Sequence, residues 1–206
     1  MPPEELQSNQ FTADTHQAPI GGNWFSGWLG RVILKSVGWS FKGSLPQHSK
    51  MVIAVGPHTS NWDFFLGVAV LFALRIKIRF LGKHTIFVPV IRNILHWLGG
   101  IPVDRRAKHG VVERVVSEFN HSSSMILALS PEGTRSPIYP WKTGFLSIAH
   151  KASVPVVLIG FDFARKQIVF GPSITVSGDF QVDMEKVYRF YARVTPKYPH
   201  NAVLSE

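Results

Sequence analysis

From residue 51 onward, short apolar runs alternate with longer helical stretches, and this alternation constrains the fold more than any other feature. "MVIAV" (51–55), "IKIRFLG" (76–82), "IPVD" (101–104), "SMILALS" (124–130) and "VPVVLIGFD" (154–162) each read as a strand. Residues 61–75, 90–99, 107–120 and 143–152 lie between them and read as helices. "KQIVFG" (166–171) and "SITVSG" (173–178) read as a hairpin or edge pair, and "MEKVYRFYARV" (184–194) as a closing helix. Strands alternating with helices predict an α/β protein, an αβα sandwich around a mostly parallel sheet. The chain has 206 residues, enough for one sizeable core. Residues 1–20 are polar with three prolines and are expected to form a disordered tail, which leaves 21–206 as a single domain.

Charge and aromatic content narrow the partners. Net charge is +9, yet residues 1–30 hold Glu4, Glu5 and Asp14 and no Lys or Arg, so the remainder carries +12. A basic body with six Trp and fifteen Phe suits an anionic partner with an apolar component: a lipid surface or nucleic acid. No helix-turn-helix, RRM or zinc-finger pattern supports nucleic acid. Residues 24–39 read as an amphipathic helix within a membrane-associating region, 21–45. Its aliphatic stripe is Leu29, Ile33 and Val37, with Trp24, Trp28 and Trp39 opposite, among Arg31 and Lys35. The same pattern fits a helix packed on the domain by one stripe, with Trp–cation contacts on its other side. The longest apolar run, Phe64 to Leu74, has eleven residues, whereas a membrane span needs about 20. The acidic, polar start does not read as a signal peptide, so the expectation is a peripheral protein on the cytoplasmic face of a membrane. Absence of cysteine removes thiol nucleophiles and disulfides and suits a reducing compartment.

Three segments could carry chemistry, and each follows a predicted strand. In "GPHTSNWDFF" (56–65), His58 and Asp63 stand five positions apart. They can meet only if His58 lies on the turn leaving the strand and Asp63 in the first helical turn, after N-cap candidates Thr59, Ser60 and Asn61. Such a pair forms a general base whose tautomer a carboxylate fixes, although a capping Asp and an unrelated loop His would share the spacing. "LSPEGTRSP" (129–137) places Glu132 and Arg135 around Gly133 and Thr134. It could grip a phosphate or be a surface turn with an internal ion pair. "GGIPVDRR" (99–106) ends in Asp104, Arg105 and Arg106, phosphate ligands or ordinary solvated residues. Together the segments offer, from one sheet edge, a base, an acid to orient it and cations for a phosphate.

These segments resemble the glycerolipid acyltransferases, specifically the 1-acylglycerol-3-phosphate (lysophosphatidate) acyltransferase group. "HTSNWD" (58–63), "GGIPVDR" (99–105), "PEGTRS" with the following "WKTG", and "VPVVLIG" (154–160) match four ordered family blocks over about residues 51–162. Lys83 and Pro89 fall where that family has a Lys and a Pro. The resemblance implies that His58, oriented by Asp63, deprotonates an acceptor hydroxyl, which attacks an acyl thioester of coenzyme A or acyl carrier protein. It implies that Arg105, Glu132, Gly133, Thr134 and Arg135 bind the acceptor's phosphate, with Lys83 serving the same anion or the oxyanion. Val154 and Pro155 would contact the acyl donor. It implies no bound cofactor, no metal and no acyl-enzyme, and membrane lysophospholipid as the partner. The departures are Pro57 where many members have Asn and Ser130 where an aromatic is common. Alternatives are another lyso-lipid acceptor such as a lyso-aminolipid, a thioester hydrolase, or a non-enzymatic basic protein on membrane or nucleic acid.

Overall fold

A computed structural model describes residues 18–103 and 110–204. One seven-stranded sheet organises them. Its strands are β1 (Ser40–Lys42), β2 (Lys50–Gly56), β3 (Arg79–Lys83), β4 (Gly100–Val103), β5 (Met125–Leu129), β6 (Val156–Asp162) and β7 (Gln167–Ile174), in the order β1-β7-β6-β2-β5-β3-β4. From β6 to β4 every pairing is parallel; β7 runs antiparallel to β6 and carries β1 on its outer side. The chain is therefore α/β with a mixed, mostly parallel sheet.

The central strands are apolar on both faces, as strands covered by helices on each side must be. β2 shows this residue by residue. Met51 and Ile53 face one core with Leu34, Leu66, Val70 and Leu74, while Val52 and Ala54 face the other with Phe119, Phe145, Val187 and Tyr191. Helices α1 (Trp24–Ser36) and α2 (Trp62–Leu74) build the first layer. Helix α3 (Pro89–Trp97) joins that layer through the Trp97–Phe72 ring contact at 6.0 Å. Helices α4 (Val111–His121), α5 (Gly144–Lys151) and α6 (Phe180–Tyr191) cover the opposite face.

Several expectations need correction. "KQIVFG" and "SITVSG" do not form a pair: residues 167–174 are one strand, hydrogen-bonded to β6. The register shifts between Val157 and Ile159, which places the extra residue near Gly171–Pro172. A bulge there accommodates a proline that has no N–H to give the ladder. The N-terminal helix ends at Ser36, and Trp39 lies beyond it, its ring edge-on to Phe163 at 5.0 Å. Helix α1 packs through Gly27, Gly30 and Leu34, not through Leu29, Ile33 and Val37. A Cβ on Gly30 would lie 2.4 Å from the Ala73 backbone nitrogen, so glycine permits this close helix–helix approach. Of the expected tail, residues 1–17 lie outside the described residues, whereas Ala18 is buried and Ile20 bridges Ile76. No helix of the described residues is long and apolar enough to cross a membrane.

Candidate active site

Sheet topology selects the place. Neighbouring strands β2 and β5 send their chains to opposite layers, β2 into α2 and β5 towards α5. A crevice opens between the carboxyl ends of two such strands, and ligands of open parallel sheets bind there. His58 lies just beyond β2 and Glu132 just beyond β5. The two residues join across the crevice: the His58 backbone N–H donates to Glu132 Oε2 at 2.7 Å.

The His58 ring donates from Nδ1 to Asp63 Oδ2 at 2.9 Å. That oxygen also accepts the backbone N–H groups of Thr59 (3.0 Å) and Ser60 (2.9 Å). Asp63 sits in the first turn of α2, so its carboxylate reaches back over the helix N-terminus and satisfies donors the helix leaves free. Ser60 Oγ accepts from Trp62 N–H at 2.9 Å and completes the cap; Asn61 contributes no side-chain bond. With three donors converging on Oδ2, the ring hydrogen stands on Nδ1 and the Nε2 lone pair is left to take a proton. Asp63 is buried, while the His58 side chain is 30% exposed. The second oxygen, Asp63 Oδ1, is buried without a partner among the described residues.

Glu132 is 3% exposed, and its Oε2 also accepts from Ser130 Oγ at 2.9 Å. Burial pushes its carboxyl above the usual carboxylate range. The His58 and Ser130 hydrogen bonds oppose that shift, and the nearby Asp63 charge adds to it. Gly133 turns the chain with φ +63°, a conformation that favours glycine. Thr134 Oγ1 accepts from Ser136 N–H at 3.2 Å. Arg135 lines an open cleft of about 350 Å³, with Thr59, Ser60, Asn61, Trp62, Tyr198 and Asn201.

Other expected residues are placed by their strands. Lys83 ends β3 and is exposed at the same sheet edge, two strands from β2 and so about 10 Å along it. Arg105 lies outside the described residues, just after β4 ends at Val103. Val154 and Pro155 are not brought to the dyad. They precede β6, with the Pro155 carbonyl accepting from Val52 N–H, whereas Gly160 is the β6 residue level with Gly56. About four residues of strand, roughly 13 Å, separate them from the His58 edge. Their block runs the length of β6, and only its far end reaches the crevice.

Sequence reasoning missed four contributors. Ser130 stood out only as a departure from the family pattern, yet its hydroxyl holds Glu132. Tyr191 packs beneath the His-bearing turn, its hydroxyl donating to the Ala54 carbonyl at 2.6 Å, and burial raises its phenol well above the ordinary value. Tyr198 and Asn201 wall the cleft from the C-terminal segment, where no pattern marked them. Tyr198 N–H donates to Thr59 Oγ1 at 3.2 Å, and Lys197 sits 4.8 Å over the Trp62 ring.

The Acyltransferase family matches residues 40–162 of this chain. The chain belongs to that family. Its fold is similar to the crystal structure of the 1-acyl-sn-glycerophosphate (LPA) acyltransferase PlsC from Thermotoga maritima. The TM-score is 0.61 at 16% identity, over 84% of this chain and 80% of that one. No curated protein matches the chain. The family match spans both halves of the dyad and the Glu132–Arg135 loop but stops short of Tyr198 and Asn201.

Proposed function

We propose that this acyltransferase moves a fatty acyl group from a thioester of coenzyme A or acyl carrier protein to the hydroxyl of a lysophospholipid. The acceptor that its motifs favour is 1-acylglycerol-3-phosphate. The observation that carries the reading is the 2.9 Å bond from His58 Nδ1 to Asp63 Oδ2, which leaves Nε2 as the proton acceptor of a base in a chain that has no cysteine to serve as nucleophile. The LPA acyltransferase activity named for the PlsC structure agrees with this acceptor.

In the proposed reaction Nε2 takes the acceptor's hydroxyl proton as its oxygen attacks the thioester carbonyl. The carbonyl oxygen becomes an oxyanion. The C–S bond then breaks, and the leaving thiolate takes up the proton held on His58, which restores the neutral base. Asp63 stabilises the imidazolium in between. Arg135 and Arg105 hold the acceptor phosphate, and Lys83 faces the same anion or the oxyanion. Base assistance contributes about 10²–10⁴ in rate, and positioning supplies the rest. The enzyme works at the cytoplasmic face of a membrane as a peripheral protein. Exposed Trp24, Phe25 and Trp28 on α1 support that placement.

The test is incubation of the purified chain with acyl-coenzyme A and lysophosphatidate, following free thiol and diacylated lipid together. Equal amounts of both, and loss of both in His58→Ala with an unchanged circular dichroism spectrum, are expected. Thiol release that proceeds as fast without any acceptor would establish a hydrolase instead.

A further inference from the structure

The cleft that begins at Thr59, next to His58, is larger and more neutral than a bare phosphate requires. Its volume of about 350 Å³ lies within the range of small-molecule sites, about 300–1,000 Å³. Among the described residues that line it, Arg135 alone is charged. The carboxamides of Asn61 and Asn201 and the hydroxyls of Ser136 and Tyr198 supply much of the rest of its polar surface. Neither carboxamide is engaged by another described residue. Asn61 leaves the α2 cap to Ser60, and Asn201 is held by its backbone N–H, which donates to the Tyr198 carbonyl at 3.0 Å. The wall from the C-terminal segment is fixed at several points. Phe163 N–H donates to the Thr195 carbonyl at 2.8 Å, and Tyr198 N–H to Thr59 Oγ1 at 3.2 Å. Lys197 Nζ lies 4.8 Å from the Trp62 ring centre and 5.7 Å from that of Phe163. The segment is tied to the end of β6 and to the turn that carries His58, so a ligand need not order it.

Charge and hydrogen bonding identify the occupant. A carboxamide both donates and accepts, so it answers a hydroxyl in either role. Two carboxamides and a Ser hydroxyl beside one guanidinium suit a phosphate that carries a hydroxylated group. An ammonium head finds no carboxylate on this lining and meets Arg135, with Lys197 over the Trp62 ring. The nucleotide end of coenzyme A carries a diphosphate and a further phosphate, more charge than one Arg answers. One face of the Trp62 ring on which its base would stack is already covered by Lys197.

We propose that this cleft is a headgroup subsite for lysophospholipids whose phosphate carries a neutral, hydroxylated head. The phosphate lies on Arg135, the head's hydroxyls bond Asn61 and Asn201, and Tyr198 walls the head in. The subsite rests on the acyl-transfer reading and widens its acceptor class beyond the bare phosphomonoester of lysophosphatidate. Tyr198 and Asn201 lie past residue 162, so the head is selected in part by a segment that the family match does not reach.

Binding to the full chain is measured by calorimetry without thioester. The probes are short-chain lysophosphatidylglycerol, lysophosphatidylcholine and lysophosphatidate, each below its micelle concentration. Wild type should hold the glycerol ester roughly tenfold or more tighter than the choline ester, the worth of two neutral hydrogen bonds. Asn201→Ala should lower the affinity for the glycerol ester, relative to lysophosphatidate, by roughly 3–10-fold. Asn61→Ala, at a position that makes no cap bond, should repeat that loss. Asn201→Asp keeps the size of the side chain but cannot donate when ionised. It should move preference toward the choline ester, which a merely structural Asn201 would not do. Equal wild-type affinity for the two esters would overturn the proposal. So would an Asn201→Ala loss that is the same for all three lipids. A loss that appears instead in KM for the thioester would give the cleft to the donor. A chain that selects the glycerol ester but transfers no acyl group refutes the acyl-transfer reading alone. A chain that acylates lysophosphatidate but binds both esters alike refutes the subsite alone.

Discussion

Asp63 serves two purposes through one oxygen, and two substitutions separate them. Its Oδ2 receives the His58 ring and the Thr59 and Ser60 backbone N–H groups. Asp63→Ala removes the ring's partner and strands two buried backbone donors. Each stranded donor costs about 1–3 kcal/mol, so about 2–6 kcal/mol of stability is lost. Asp63→Asn keeps an oxygen for the two N–H groups and should cost about 1–2 kcal/mol. Its amide, however, offers the ring no charge to oppose an imidazolium, and its N–H₂ can hold the ring in the wrong tautomer. The expected loss in kcat is the whole base contribution, about 10²–10⁴, or about 2.7–5.4 kcal/mol. Thermal unfolding and initial rates of thiol release at saturating acceptor measure the two effects side by side. The two variants should be nearly equal in lost kcat and clearly different in Tm. An Asn variant within about threefold of wild-type kcat would remove Asp63 from the chemistry and leave it a helix cap.

Glu132→Gln tests the buried carboxyl. Burial raises its folded pKa above its ordinary 4.5, so its contribution to stability is full below the unfolded value and is lost as pH rises through the folded one. The Gln variant cannot ionise and should gain on wild type in denaturant midpoint as pH rises; a difference that is flat with pH would refute this. Gly30→Ala should cost about 1–3 kcal/mol in urea unfolding, because its Cβ meets the Ala73 and Ala69 backbones of α2. Arg135→Gln should raise KM for a phosphate-bearing acceptor by roughly 10–150-fold, the worth of a charged hydrogen bond, with KM for the thioester unchanged in the same kinetic series.

The parallel core was legible because strands covered on both faces read as unbroken apolar runs. β2, β5 and β6 fall within "MVIAV", "SMILALS" and "VPVVLIGFD" to within a residue or two. The His58–Asp63 contact was legible because a strand, a short turn and a helix start leave few ways to set five residues. What was not legible depends on partners distant in sequence. The glycines that weaken α1 as an isolated helix are its contact with α2, forty residues on. Pro172 reads as a strand breaker until the bulge against β6 absorbs it. Tyr198 meets Thr59 only through the fold, and a segment without a motif gives no warning of that.

The loop after β5 shows how sequence can unite residues that the fold divides. As a string, Glu132 to Arg135 is a compact polar cluster, and the simplest reading gives all four residues to one ligand. The Glu132 side chain is instead buried, and its Oε2 accepts from both His58 N–H and Ser130 Oγ. Gly133, with φ +63°, reverses the chain immediately afterwards, and Arg135 emerges on the cleft side. One end of the loop therefore pins the turn that carries the base, and the other faces the cleft. Their separation is set by a glycine whose backbone few other residues would adopt. A hydroxyl at position 130, in place of an aromatic ring, fits this division, because it gives the buried carboxyl a second donor beside the His58 backbone. Any change that lets Glu132 swing toward the cleft should then loosen His58 before it alters the grip on phosphate, appearing first in kcat and only later in the acceptor KM.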